Sequence, residues 1–155
     1  MTDAFVLLAG GTGDLGGRIA RALVAREAPV HAFVRSQSSP EALDDLRKLG
    51  VTVVPVDLSD LDAVTRACQG ASCVVSALSG LRDVILDRQT VLLDAAVRAG
   101  VPRFISSDYC ADYTKTEPGH NRNFDLRREF AGRADRAPIR VTSIFNGAFM
   151  DMLGA

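Results

Sequence analysis

The sequence predicts an α/β protein built on a doubly wound parallel sheet of about six strands in the order 3-2-1-4-5-6. Three observations carry this prediction. Short apolar runs alternate with amphipathic stretches along the chain, a glycine-rich turn joins the first run to the first amphipathic stretch, and the connections are short, as right-handed strand-helix-strand crossovers require.

Residues 4–9 form a continuous apolar run that stops at glycines, as in a parallel strand covered on both faces. Residues 15–26 place Ile19, Ala20, Leu23 and Val24 on one side and Arg18, Arg21 and Arg26 elsewhere, which is helical spacing. The alternation then repeats: a strand over 30–34, a helix over 41–49, a strand over 51–56, a short helix over 61–68 and a strand over 72–76. A long helix comes next over 84–99, closed by Gly100, then a strand over 102–106, a helix over 121–133 and a strand over 139–144. Residues 109–123 are a polar stretch holding Pro118 and Gly119; a loop of that length at the C-terminal edge of a sheet is commonly functional.

The 155 residues suit one domain, spanning 1–155, with a single core. At 47% hydrophobic and 24% charged, the composition excludes a disordered or collagen-like chain. A net charge of −1 with interleaved signs gives no field that would gather nucleic acid or an anionic membrane. Cys68, Cys73 and Cys110 have neither disulfide-framework nor zinc spacing, and His31 and His120 have no partner at metal spacing. No apolar run reaches the roughly 20 residues of a membrane span, and Met1, Thr2 and Asp3 lack the basic start of a signal peptide. The expectation is a cytoplasmic protein with no nucleic-acid or membrane partner and no metal.

The strongest local signal is the stretch Gly10, Gly11, Thr12, Gly13, Asp14, Leu15, Gly16 and Gly17 between the first strand and the first helix. It fits Gly-x-Gly-x-x-Gly through Gly11, Gly13 and Gly16, and a second register through Gly10, Gly13 and Gly16. Either register gives a tight turn, a bare backbone that a pyrophosphate can approach, and a helix N-terminus offering unpaired N–H groups. In a strand-turn-helix setting this is a dinucleotide loop of the Rossmann type.

Which dinucleotide is decided at the end of the second strand, where Val34 is succeeded by Arg35, Ser36, Gln37, Ser38 and Ser39, with no acid before Glu41. An NAD site usually offers an acid to the ribose hydroxyls there. Arg35 and Ser36 instead suit a 2′-phosphate, so NADP(H) is the expected cofactor; the competing reading of Arg35 is an ordinary solvated residue. Asp57 and Leu58 come directly after the third strand, where an adenine edge passes, although an Asp before a helix is also an N-cap. Ser76, Ala77 and Leu78 leave the fourth strand beside the expected nicotinamide-ribose path.

Together these residues resemble the NmrA-like and isoflavone-reductase-like branch of the atypical short-chain dehydrogenase/reductases. The matching stretches are the glycine loop, Phe33 to Arg35, Gln89 through Ala95 and Ala96, Ala99 through Ile105, Ser107 to Tyr109, and Asn146, Gly147, Ala148 and Phe149. The likeness covers nearly the whole chain and implies a Rossmann domain that binds NADPH.

The departures concern the chemistry. The reductase branch places a catalytic lysine at the start of the helix after the fifth strand, where this chain reads Asn123, Phe124, Asp125, Leu126, Arg127 and Arg128. An arginine cannot exchange protons near neutrality. The Tyr-x-x-x-Lys pattern also fails, since four residues beyond Tyr109 is Tyr113 and four beyond Tyr113 is Glu117. The remaining candidates for acceptor polarisation and proton transfer are Ser107, Tyr109 and Lys115, against a reading in which they merely finish a sheet edge. The family's C-terminal segment, which builds most of the substrate pocket, is largely absent from a chain ending at Ala155, and pairing of two copies as a homodimer is one way to complete the pocket.

The leading expectation is an NADPH-dependent oxidoreductase acting on a small carbonyl, enone or quinone-like substrate. The alternative, motivated by the missing lysine, is a non-catalytic NADP(H)-binding redox sensor that answers to a regulatory protein partner.

Overall fold

The computed structural model describes residues 4–108, 111–147 and 149. Among them, β1 (Phe5–Ala9), β2 (Val30–Val34), β3 (Thr52–Pro55), β4 (Ala71–Ser76), β5 (Arg103–Ile105) and β6 (Arg140–Thr142) form one sheet in the order β3-β2-β1-β4-β5-β6. Every neighbouring pair is parallel. This is the predicted order, with its switch point between β1 and β4, where the chain reverses direction across the sheet.

Alternation along the strands divides the core between two faces. Leu7, Phe33, Val74 and Phe104 point to one side, against Leu86, Leu92, Leu93 and Phe130. Leu8, Ala32, Val34 and Val75 point to the other, against Ala20 and Leu46. The adjacent pairs Leu7/Leu8 and Val74/Val75 thus serve opposite layers, which is why the strands read as unbroken apolar runs.

Among the described residues, five α-helices cover these faces: α1 (Asp14–Val24), α2 (Pro40–Lys48), α3 (Leu61–Cys68), α4 (Gln89–Arg98) and α5 (Arg122–Ala134). Local chemistry sets their starts. Ser39 Oγ accepts from Ala42 N–H at 3.3 Å ahead of Pro40, Asp60 Oδ1 accepts from Ala63 N–H at 2.9 Å, and Asn121 Oδ1 accepts from Asn123 N–H at 2.9 Å. No helix among the described residues is long and apolar enough to cross a membrane.

Two departures from the sequence reading matter for the site. The helix expected over 84–99 is not uniform, because a wide π-helical turn spans Asp83–Arg88 before α4 begins, and Gln89 N–H donates back to Val84 O. Such a turn carries one extra residue per hydrogen-bonded ring and leaves no mark on apolar periodicity. The polar stretch over 109–123 is not all loop: Asp112 Oδ1 accepts from Thr114 N–H at 3.1 Å and starts a 3₁₀ turn at Tyr113–Lys115. Tyr109, Cys110 and Ala148 lie outside the described residues.

Candidate functional site: a groove at the sheet switch point

At the end of β1 the chain turns under Gly10, whose φ is +89°, and Gly13 N–H closes the turn onto Gly10 O at 3.0 Å. A Cβ on Gly10 would meet Ala77 O at 2.6 Å, so the first turn of the loop is pressed against the backbone leaving β4. At Gly16 a Cβ would lie 2.7 Å from Gly10 C and 2.9 Å from Gly11 Cα; this glycine lets α1 sit directly on the loop. The N-cap of α1 is Gly13, which contributes no side-chain acceptor. The first amides of α1 therefore remain available to an anion beside the loop.

A groove of about 280 Å³ opens at this point, lined by Gly10, Thr12, Gly13, Phe33, Val34, Arg35, Val56, Leu58, Ala77, Leu78, Ser79, Val84 and Arg88. It adjoins a second space of about 390 Å³ lined by Arg35, Ser36, Gln37, Pro55, Val56, Asp57, Leu58 and Arg88. The glycine cradle is at one end and the β2 and β3 termini at the other. Asp57 Oδ1 accepts from Ser59 N–H at 2.9 Å, and that bond, with a smaller contribution from the Arg88 charge, holds its carboxyl below the usual range. Asp60 takes the N-cap of α3, so both readings of Asp57 resolve to an exposed carboxylate on the groove wall.

Beyond Leu78 the groove meets the end of β5. Ser107 Oγ donates to Leu78 O at 2.5 Å, and Ser107 N–H donates to Gln89 Oε1 at 2.8 Å. Gln89 is fully buried and donates its Nε2 to Ile85 O at 3.0 Å, which ties the wide turn to the β5 terminus. Next along, Asp108 accepts from Ser106 Oγ at 2.7 Å and from the Tyr113 hydroxyl at 3.3 Å. Burial and then the Asp108 charge push the Tyr113 hydroxyl up to about 12, so it stays protonated at neutral pH.

The sequence-predicted cofactor residues fall into three groups, and the predicted catalytic residues stand apart from them. Gly10, Thr12, Gly13, Arg35, Leu58, Ala77 and Leu78 line the groove, with Ser36 and Asp57 on its outer part. Gly11 and Asp14 face a separate recess toward α2, and Asp14 pairs with Arg18 at 3.1 Å. Leu15, Gly16 and Ser76 line neither; Ser76 is 4% exposed, and its Oγ has no hydrogen-bond partner among the described residues. Ser107 sits at the sheet edge on Leu78, whereas the Lys115 side chain is 83% exposed and pairs with Asp112 at 3.3 Å. Tyr109 is outside the described residues. The sequence reading missed Val84 and Arg88, which the wide turn delivers to the groove wall.

Comparison with known proteins agrees with this architecture. A family model described as the NmrA-like family matches residues 2–154. Isoflavone reductase homolog P3 of Arabidopsis thaliana is 28% identical over 160 residues, covering 96% of this chain and 51% of that protein. Bifunctional pinoresinol-lariciresinol reductase 3 of Thuja plicata is 30% identical over 156 residues, covering 93% and 49%. The chain thus spans about half the length of the curated relatives it matches. A solved structure of AtPrR2 with NADP+ and (+)pinoresinol superposes with a TM-score of 0.81 at 28% identity, over 92% of this chain and 49% of that one.

Proposed function

This chain belongs to the NmrA-like family, and from that premise we propose that it binds NADP(H) and serves as a reductase for a small carbonyl, enone or quinone-like molecule. The observation that carries the reading is the pairing, in one groove, of a glycine-built cradle at an uncapped helix start with Arg35 and Ser36 at the end of β2. The chain offers no acid between Val34 and Glu41, where ribose hydroxyls of an unphosphorylated cofactor would call for one.

The residues present fit the cofactor. Gly10, Thr12 and Gly13 hold the pyrophosphate against the first turn of α1, and Arg35 with Ser36 takes the 2′-phosphate. Leu58 and Asp57 stand at the adenine, while Ala77 and Leu78 stand along the path to the nicotinamide. When bound, NADPH supplies the hydride.

Ser107 is the proposed polarising group for the acceptor. Its amide is held by Gln89; its one hydroxyl proton goes to Leu78 O in this structure and must turn from there to the acceptor oxygen for Ser107 to polarise it. Tyr109 is proposed beside it on the strength of sequence position. Lys115 is proposed as an auxiliary charge only, since Asp112 holds it on an exposed turn. Isoflavone reductase homolog P3 and the pinoresinol-lariciresinol reductase are both called reductases, which gives the sensor reading no support.

The test is NADPH oxidation, monitored optically, across ketones, enones and quinones. Turnover of at least one class, weakened by Ser107→Ala, supports the proposal. Tight NADPH binding with no turnover of any class contradicts the reductase part.

A further inference from the structure

Arg88 belongs to no element that the glycine loop or the β2 terminus accounts for, yet it lines both parts of the groove. It is the last residue of the wide turn Asp83–Arg88. Gly80 packs that turn tightly against the end of β4, since a Cβ there would meet the Val84 side chain at 2.7 Å. The extra residue in a π-helical ring rotates the downstream residues relative to a continuous α-helix. Val84 and Arg88, four residues apart, lie on one face of that turn and line the groove wall together.

Several arginines near the groove are engaged: Arg82 and Arg133 are held by Glu129, and Arg128 by Thr116. Arg35 and Arg88 make no hydrogen bond and no close ion pair among the described residues, although the Arg88 charge acts on Asp57 across the groove. The charged side chains lining the outer groove are these two guanidinia and Asp57, whose carboxylate already accepts from Ser59. Two guanidinia with free N–H donors beside Ser36 and Gln37 provide the donors that a dianionic phosphate takes, where one fork would leave part of its charge unmatched.

We infer that Arg88 is the second guanidinium of the 2′-phosphate site, sharing with Arg35 the selection of the phosphorylated cofactor. The inference rests on the proposed NADP(H) binding. It adds that specificity is built from two sides of the groove, by the β2 terminus and by an irregular turn before α4.

The test measures dissociation constants of NADPH, NADH, 2′-AMP and 5′-AMP for the wild-type chain, Arg88→Gln, Arg88→Lys and Arg35→Gln, with melting temperatures as the folding check. Arg88 makes no hydrogen bond among the described residues and Asp57 is exposed, so neither substitution strands a buried polar group, and all variants are expected to fold. Arg88→Gln should weaken NADPH by about tenfold or more, the loss of a charge-assisted contact, while NADH changes by less than about twofold. The 2′-AMP affinity should fall with it, 5′-AMP should not, and Arg88→Lys should lie between. Unchanged NADPH affinity in Arg88→Gln while Arg35→Gln loses it overturns this inference alone. An equal fall for NADPH and NADH overturns it too, assigning Arg88 to the shared part of the cofactor. A wild-type chain that binds neither NADPH nor 2′-AMP overturns both this inference and the NADP(H) reading.

Discussion

Gly10 and Ala77 meet at the switch point of the sheet, where a single added carbon on Gly10 would stand 2.6 Å from Ala77 O. The contact fixes how closely the loop after β1 approaches the backbone after β4, and so the width of the groove between them. It also separates glycines that hold the fold from Gly13, which is proposed to serve the ligand.

Gly10→Ala combines a left-handed backbone at φ +89° with that clash and should cost about 2–4 kcal/mol of stability, read as a lowered midpoint in urea. Gly13, at φ −84°, would place a Cβ 3.4 Å from Gly10 O, an ordinary contact. Gly13→Ala should therefore lose no more than about 1 kcal/mol and still bind NADPH less well, because the methyl group stands where the pyrophosphate approaches. Equal effects of the two substitutions on stability would contradict this division.

Gln89 is the buried joint between the wide turn and Ser107. Gln89→Leu keeps the volume and removes both hydrogen bonds, leaving the Ser107 amide without its partner. A loss of about 1–3 kcal/mol is expected from thermal or chemical unfolding, accompanied by a fall in turnover beyond that of a surface control.

Tyr113 predicts an alkaline signature. Its hydroxyl titrates near 12 in the folded chain against 10 when exposed, so the unfolded state ionises first and stability falls as pH rises from about 10 to 12. Below pH 10 this group contributes no pH dependence. The fall in melting temperature over that window should be smaller in Tyr113→Phe than in the wild type; parallel curves would show that Tyr113 is not held neutral.

Lys115 and Ser107 should behave differently. Lys115→Gln removes one exposed ion pair and should change stability by less than about 0.5 kcal/mol and turnover by less than about threefold. Ser107→Ala removes the hydroxyl on Leu78 and should lower turnover by about tenfold or more with cofactor binding kept. A larger kinetic loss for Lys115→Gln would reverse their proposed roles.

The strand order and the loop after β1 were legible because each residue there is constrained locally: Leu7 and Leu8 both need an apolar partner, and Gly10 and Gly16 have no room for a side chain. The wide turn is not legible in the sequence, since Ile85, Leu86 and Leu92 are also at core-facing spacing in a regular helix. Arg88 escapes the sequence reading because its place on the groove wall depends on which face of the turn meets the ends of β2 and β3, a long-range fact. Tyr113 was read as part of a polar loop because its neighbours are polar, yet it is 3% exposed, covered at the sheet edge by Phe145 with ring centroids 5.3 Å apart. Burial of that kind depends on which strand end lies opposite, a long-range fact absent from a short window of sequence.

The most direct measurement of the central claim is a side-by-side titration of NADPH, NADP, NADH and NAD against the wild-type chain and Arg35→Asp. The account predicts tighter binding of the phosphorylated pair by about tenfold or more, and loss of that preference in Arg35→Asp with the unphosphorylated pair little changed. Equal affinity for all four, or a preference that survives Arg35→Asp, would contradict it.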